Sequence, residues 1–264
     1  MDRPYRVGDV DVLPTHLDLP GVGTLTVNCF VLHSEEPVLV DTGLGVDGDA
    51  FIEALRSVID PADLRWIWLT HDDADHTGNI AQLMELAPQA KLATHALAAL
   101  RMATWWPAPL DRVHALVVGD QIDVGDRTLT AVRPPTFDNP TSTGILDPST
   151  QTLFSVDTFG AILPGYVESL DDVPESDLTG GMIAWATFDS PWTHLTDRVR
   201  FDEVLDEVHD MNLERVFSAH APAAVGRIDQ LLKVVSTVPD AEPFVPPGAE
   251  AFQQIVAQMG PPPA

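Results

Sequence analysis

The sequence predicts an α/β fold of layered sheets and helices in a single domain. Three observations predict it. Short apolar runs rich in β-branched residues recur along the 264 residues, each bounded by glycine, proline or aspartate. Stretches with apolar residues at helical spacing follow them, giving two halves of strands and then helices. Hydrophobic residues make up 45% of the chain, ample for a core, and no domain-sized linker interrupts residues 1–240.

The elements follow in order. The first forty residues read as strands separated by turns. Residues 24–33 form one strand, Glu35-Glu36-Pro37 turns the chain, and Val38-Leu39-Val40 is a buried strand ending at Asp41-Thr42-Gly43. Phe51-Ile52, Leu55 and Val58-Ile59 have helical spacing, and Asp60-Pro61 closes that helix. Trp66-Ile67-Trp68-Leu69 is a short strand running into Thr70-His71-Asp72-Asp73-Ala74-Asp75-His76, and a helix is predicted from about Thr77. Residues 91–94 and the alanine-rich stretch after them form a strand–helix pair. Short strands fill 113–132, with turns at Gly119-Asp120 and Gly125-Asp126. Two more cover 144–146 and 152–156, the second ending at Asp157. Residues 169–211 read as helical, 213–218 as a last strand delivering His220, and 228–235 as a last helix. Residues 241–264 form a proline-rich tail, mobile apart from a short helix near Phe252.

Composition excludes several classes. Forty acidic against 14 basic side chains give a net charge of −26, which repels nucleic acid and anionic membrane surfaces alike. No segment reaches the roughly 18 apolar residues that span a bilayer, and Met1-Asp2-Arg3-Pro4-Tyr5-Arg6 lacks a secretion signal's apolar stretch, so a cytoplasmic protein is expected. The one cysteine, Cys29, rules out an intrachain disulfide and a cysteine-built metal site, and reads as inert strand packing. Glycine-rich phosphate motifs and a Gly-x-Ser-x-Gly elbow are absent.

The informative feature is His71-x-Asp73-x-Asp75-His76, set between an apolar strand and a helix. Four potential ligands within six residues converge on metal ions without long-range folding to gather them. Imidazole and carboxylate suit zinc, iron and manganese. Aspartates also cap helix starts, which explains one or two of these residues but not two histidines flanking two carboxylates.

The order Asp41-Thr42-Gly43, Thr70-His71-x-x-x-Asp75-His76, Asp157 and His220 resembles the metallo-β-lactamase superfamily across residues 8 to 235. The resemblance implies an αββα sandwich with a dinuclear metal site at one edge. The hydrolases of that family carry His-x-His-x-Asp-His, whereas Asp73 stands at the second position here. An acidic residue there, and the segment Leu153-Phe154-Ser155-Val156-Asp157-Thr158-Phe159-Gly160, resemble the flavodiiron proteins and their flavin-free oxygen-binding diiron relatives. The resemblance implies His71 and Asp73 at site one, Asp75, His76 and His220 at site two, and Asp157 bridging both. It places Asp41 behind the ligands as their support.

One departure matters. The family supplies a further site-one histidine from a loop that aligns with residues 134–140, and Phe137 stands closest to its place. Asp138, Asn139, water or a residue from elsewhere is left to fill it; His114 and His194 are the other histidines to check. The expectation is a tight site two and a weak site one. Asp72 is read as a helix cap or surface residue. Trp105, Trp106, Trp185, Phe188 and Trp192 either roof the cleft or fill the core between helices.

Two function classes follow. The first is a non-haem protein holding one or two iron ions that bind or reduce dioxygen or a similar small oxidant, with electrons from an external donor. The second is a zinc or manganese hydrolase in which metal-bound hydroxide attacks an ester, thioester, lactone or phosphoester, with Asp73 or Asp75 orienting the water or acting as base. Asp73 favours iron, and the missing histidine favours hydrolysis. A homo-oligomer is compatible with either.

Overall fold

The computed structural model describes residues 1–245 and 248–259. In chain order its strands and helices are β1 (Tyr5–Val7), β2 (Val10–Leu19), β3 (Gly23–Leu32), β4 (Val38–Val40), α1 (Gly48–Arg56), β5 (Trp66–Trp68), α2 (Ala74–Thr77), α3 (Ile80–Leu86), β6 (Lys91–His95), α4 (Ala96–Met102) and β7 (Val113–Leu116). The second half holds β8 (Gln121–Asp123), β9 (Thr128–Val132), β10 (Gly144–Asp147), β11 (Thr152–Phe154), β12 (Ile162–Leu163), α5 (Glu175–Asp189), α6 (Arg198–His209), β13 (Arg215–Phe217), β14 (Ala224–Val225), α7 (Ile228–Val235) and α8 (Ala249–Met259). One sheet runs β1-β2-β3-β4-β5-β6-β7 with β12 on β3, and the other β14-β13-β11-β10-β9-β8.

Strand alternation builds the layers. Phe30, Trp66, Trp68, Phe154 and Phe217 point into the space between the sheets, while Cys29, Val31, Ile67, Leu153 and Val216 point to the outer faces. Phe30, Phe154 and Phe217 pack with centroids 5.2–5.5 Å apart. Each such ring contributes about 1.5–3 kcal/mol by leaving water. Phe51, Ile52, Leu83 and Met84 of α1 and α3 cover one outer face; Leu178, Met182, Phe201, Leu205 and Leu231 of α5, α6 and α7 cover the other. The result is the expected order of helices, sheet, sheet, helices.

Strand direction positions the site. β4 and β5 are parallel, as are β11 and β13. Their carboxyl ends deliver Asp41, the 70–76 loop, Asp157 and His220 to one rim, where α/β sheets present ligand sites.

The helical reading of 169–211 needs correction. That stretch holds α5 and α6 separated by a 3-10 turn at Pro191–Leu195, preceded by another at Leu170–Asp172. Pro191 lacks the N–H that would continue α5, and the Asp197 carboxylate caps α6 by accepting from Arg200 N at 3.1 Å. The helix expected from Thr77 is likewise two pieces, α2 and α3, split at Gly78-Asn79. The helix near Phe252 is α8, whereas residues 246, 247 and 260–264 of the tail lie outside the described residues.

Candidate metal centre

The 70–79 loop is clasped onto the Asp41-Thr42-Gly43 turn. Thr42 N donates to His76 O at 2.7 Å, Gly78 N to Gly43 O at 2.9 Å, and Asn79 Nδ2 to Thr42 O at 2.7 Å. A Cβ on Gly78 would collide with the backbone of residues 43–45, so only glycine permits this approach. Asp41 itself sits at φ +60°, which aspartate tolerates better than most residues. Its Oδ1 accepts from Thr70 N at 2.8 Å, and its Oδ2 accepts from His76 Nδ1 at 2.9 Å.

The 220 loop is held by β3. Asn28 Nδ2 donates to Ser218 O and Ala221 O at 3.0 and 2.8 Å, and His220 Nδ1 donates to Thr26 O at 2.8 Å. A carbonyl or carboxylate can only accept, so His76 and His220 both carry their proton on Nδ1. In the neutral rings Nε2 is then a bare lone pair, and both point at Asp157.

Asp157 follows Val156, a β-branched residue at φ +58°. That conformation is costly and is fixed by Val156 O accepting from Ala219 N at 2.8 Å. Asp157 is 3% exposed, and its Oδ1 accepts no well-aligned hydrogen bond although His220 Nε2 and His76 Nε2 lie 3.0 and 3.2 Å away. Asp75 Oδ2 is 3.5 Å from each of those nitrogens. Donors about 2.1 Å from one tetrahedral ion lie roughly 3.4 Å from each other. These four atoms therefore have the spacing of a ligand set. On the other side Asp157 Oδ2 stands 3.4 Å from His71 Nε2, which is 3.9 Å from Asp73 Oδ2.

The structure thus brings His71, Asp73, Asp75, His76, Asp157 and His220 to one cleft of about 360 Å³. Leu25, Trp185 and Phe188 supply its apolar wall. Trp185 packs 4.5 Å from His220 and donates Nε1 to Asp157 O at 2.9 Å. A side chain on Gly160 would strike both Trp185 and His220.

Electrostatics mark the cleft as a cation site. Burial works against charge on Asp157, but His71 and His76 outweigh it and hold its carboxyl well below the usual range. Burial also disfavours charge on His76 and His220, yet Asp157 and the other carboxylates raise both, His76 strongly. His71 is pushed down by burial and by the charge of neighbouring His76, which outweigh the carboxylates around it. Positive charge is drawn in, either as protons or as a cation that displaces them.

The remaining candidates sort clearly. Asp138 comes from the loop after β9, and its carboxyl lies within 4.8 Å of the donor atoms of His71 and Asp73. Asn139 turns away, donating to Asp73 Oδ1 at 3.0 Å. Phe137 packs against Trp192 with the rings tilted, and Trp192 Nε1 donates to Phe137 O at 2.6 Å. His114 packs against Trp66, and neither it nor His194 lines the cleft. Trp105 borders a separate groove near Asp72. Asp72 is not a helix cap or free surface residue: Arg101 pairs with it, and Thr141 Oγ1 donates to it at 3.1 Å.

Asp189, at the end of α5, is the cleft residue that sequence reasoning missed. A carboxylate at a helix C-terminus opposes the helix dipole, and that misplacement is the signal that marks it. Partial burial and the charge of Asp157 push Asp189 up to about 7; burial, Asp157 and Asp189 push Asp138 up to about 8.

The chain is similar in sequence and fold to known proteins. The sequence model of the metallo-beta-lactamase superfamily matches residues 22–207. The chain is 27% identical over 221 residues to the nitric oxide reductase of Moorella thermoacetica, covering 80% of this chain and 53% of that protein. It is 29% identical over 99 residues to the flavo-diiron protein FprA2 of Clostridium acetobutylicum, covering 38% of this chain and 25% of that one. The rubredoxin oxygen:oxidoreductase structure from Desulfovibrio gigas superposes with a TM-score of 0.77 at 20% identity, over 90% of this chain and 61% of that chain. The aligned stretches cover only 25% and 53% of these two curated relatives. The family match spans well over half of the sequence and embraces the whole 70–76 loop and Asp157; the chain belongs to the metallo-beta-lactamase superfamily.

Proposed function

We propose that the cleft is a dinuclear metal centre, with iron its favoured occupant, that binds or reduces dioxygen, nitric oxide or a similar small oxidant. The observation that carries this reading is Asp157, buried, with the Nε2 atoms of His220, His76 and His71 gathered 3.0, 3.2 and 3.4 Å from its carboxylate oxygens. Site two takes Asp75, His76 and His220, with Asp157 shared; site one takes His71 and Asp73 on the other side of Asp157. Site two thus offers two imidazoles and two carboxylates, a mixed nitrogen and oxygen donor set of the kind that suits non-haem iron. Iron held there supplies electrons to a small oxidant, chemistry that redox-inert zinc lacks. The relatives named for nitric oxide reduction and oxygen reduction support the same class.

The chain's own residues do the rest. Trp185, buried, excludes water from one side and fixes the His220 ring, and Phe188 packs behind it. Asp73 and Asp75, with side chains 42% and 30% exposed, border the open side and orient the entering molecule, and they are the catalytic carboxylates on this reading. Electrons arrive from a partner domain or protein.

The test is to load metal-stripped protein anaerobically with ferrous iron or with zinc. Consumption of dioxygen and nitric oxide under a chemical reductant is then measured beside turnover of ester, thioester, lactone and phosphoester substrates. The expected result is gas consumption by the iron form alone. An iron form inert to both gases, beside a zinc form whose hydrolysis stops in chelator, would make the protein a hydrolase.

A further inference from the structure

We propose that Asp138 is the missing donor of site one, standing where the superfamily pattern supplies a histidine, and that it makes site one a hard, oxygen-rich position selecting manganese or iron over zinc. The inference rests on the dinuclear reading above and adds to it a ligand and a selectivity.

Geometry comes first. Donor atoms of His71, Asp73 and Asp138 lie mutually within 4.8 Å, and so do those of Asp138, Asp157 and Asp189. Two groups of potential ligands therefore share Asp138, and one of them contains the almost fully buried Asp157, whose Oδ2 is the oxygen on the site-one side. His71, also 1% exposed, turns Nε2 toward the same space, 3.4 Å from Asp157 Oδ2. These are buried groups aimed at a common point.

The loop is built to present Asp138. Arg133 Nη1 donates to Ser142 O at 2.6 Å, and Thr158 Oγ1 donates to Thr136 O at 2.6 Å. Trp192 pins Phe137 on one side, and Asn139 is tied to Asp72 and Asp73 on the other. Among the described residues no N–H donates to the Asp138 carboxyl, whose side-chain hydrogen-bond partner is the Asp73 carboxyl. Its neighbours are anchored while it is left facing other carboxylates.

Charge then decides the ion. Asp73, Asp138 and Asp157 would offer an ion three carboxylate oxygens at site one against a single imidazole, Asp138 giving up its proton as the ion binds. Carboxylate oxygen suits manganese and oxidised iron, whereas zinc gains relatively more from nitrogen. Site two, with two imidazoles, keeps the softer set. Asp73 and Asp138 stand at the open side, so site one exchanges its ion first.

The experiment titrates stripped protein with manganese, following the free ion by electron paramagnetic resonance, and with zinc against a chromophoric chelator. Circular dichroism of each variant confirms folding. Wild type is expected to bind two equivalents of manganese, the second more weakly. Asp138→Ala should weaken that second equivalent at least about tenfold and leave the first unchanged, because losing a ligand exceeds the 10–100-fold cost of losing an outer support. Asp138→His should retain two ions and shift the second toward zinc by about tenfold or more. Two equivalents with wild-type affinities in Asp138→Ala, or unchanged metal preference in Asp138→His, would overturn the inference and leave the dinuclear reading standing. Wild-type protein that binds neither metal would overturn both.

Discussion

Asp41 shows how much of the site is decided by residues that touch no ion. It accepts the His76 Nδ1 proton and the Thr70 amide, so it fixes the tautomer, tilt and basicity of a ligand from behind. Asp41→Asn retains a residue that tolerates the left-handed backbone and removes the charge. It should weaken metal binding at site two by about 10–100-fold, measured by competition with a chelator. Asp72→Ala in the same assay should leave site two at wild-type affinity, since the Asp72–Arg101 pair faces away from it. Equal losses in both variants would show that the loop, not the ligand support, is being measured. The sequence made His71, Asp73, Asp75 and His76 legible because they lie within six residues, and Asp157 and His220 legible because each ends a strand. Asn139 and the Thr26 carbonyl were not legible. Their roles come from hydrogen bonds across distant loops, with no local pattern to betray them.

At the scale of elements, strands were easier to read than helices. The strands around Phe30, Trp66, Phe154 and Phe217 stand out as unbroken apolar runs because each buries both faces against different layers. Helices α5 and α6 blurred together because α5 is apolar on most sides, so no polar face marks its limits; the break rests on Pro191 and Asp197 alone. The turns between strands are joined by a buried ionic knot. Asp147, with a fully buried side chain, accepts from Ser149 N, Ser149 Oγ and Thr150 Oγ1, and pairs with Arg127 at 3.0 Å; Arg127 also reaches Asp9. Burial raises the Asp147 pKa, but these donors outweigh it and the carboxyl is held below its ordinary value. A depressed folded-state pKa contributes stability above the unfolded value of about 3.9 and loses it as pH falls through the folded value. Asp147→Asn should cost about 1–3 kcal/mol in urea unfolding at pH 7, and the difference from wild type should shrink below about pH 4. A difference that holds constant with pH would remove the charge from the explanation.

Across the whole molecule, two sheets bring strand ends from both halves of the chain to one rim, and the αββα arrangement was legible from strand and helix order together with the motif series. What that order leaves open is the content of the rim. The loop after β9 departs from the superfamily pattern, and only its folded path shows Asp138 rather than Asn139 or Phe137 entering the cleft. Asp189 enters from a helix end that the strand-based motifs do not cover. The charge of −26 spreads over the molecule, yet within the cleft it becomes specific: carboxylates closer together than water-exposed aspartates would settle, facing bare imidazole nitrogens. The most direct measurement is elemental analysis of the full chain, purified without added metal and again after anaerobic incubation with ferrous iron. Near two irons per chain are predicted, one of them lost first to mild chelation, with near-ultraviolet absorption that bleaches on reduction. His76→Ala should lose the tightly held ion. A chain that retains no transition metal under either condition, or a His76→Ala variant that keeps the full wild-type complement, would contradict the account.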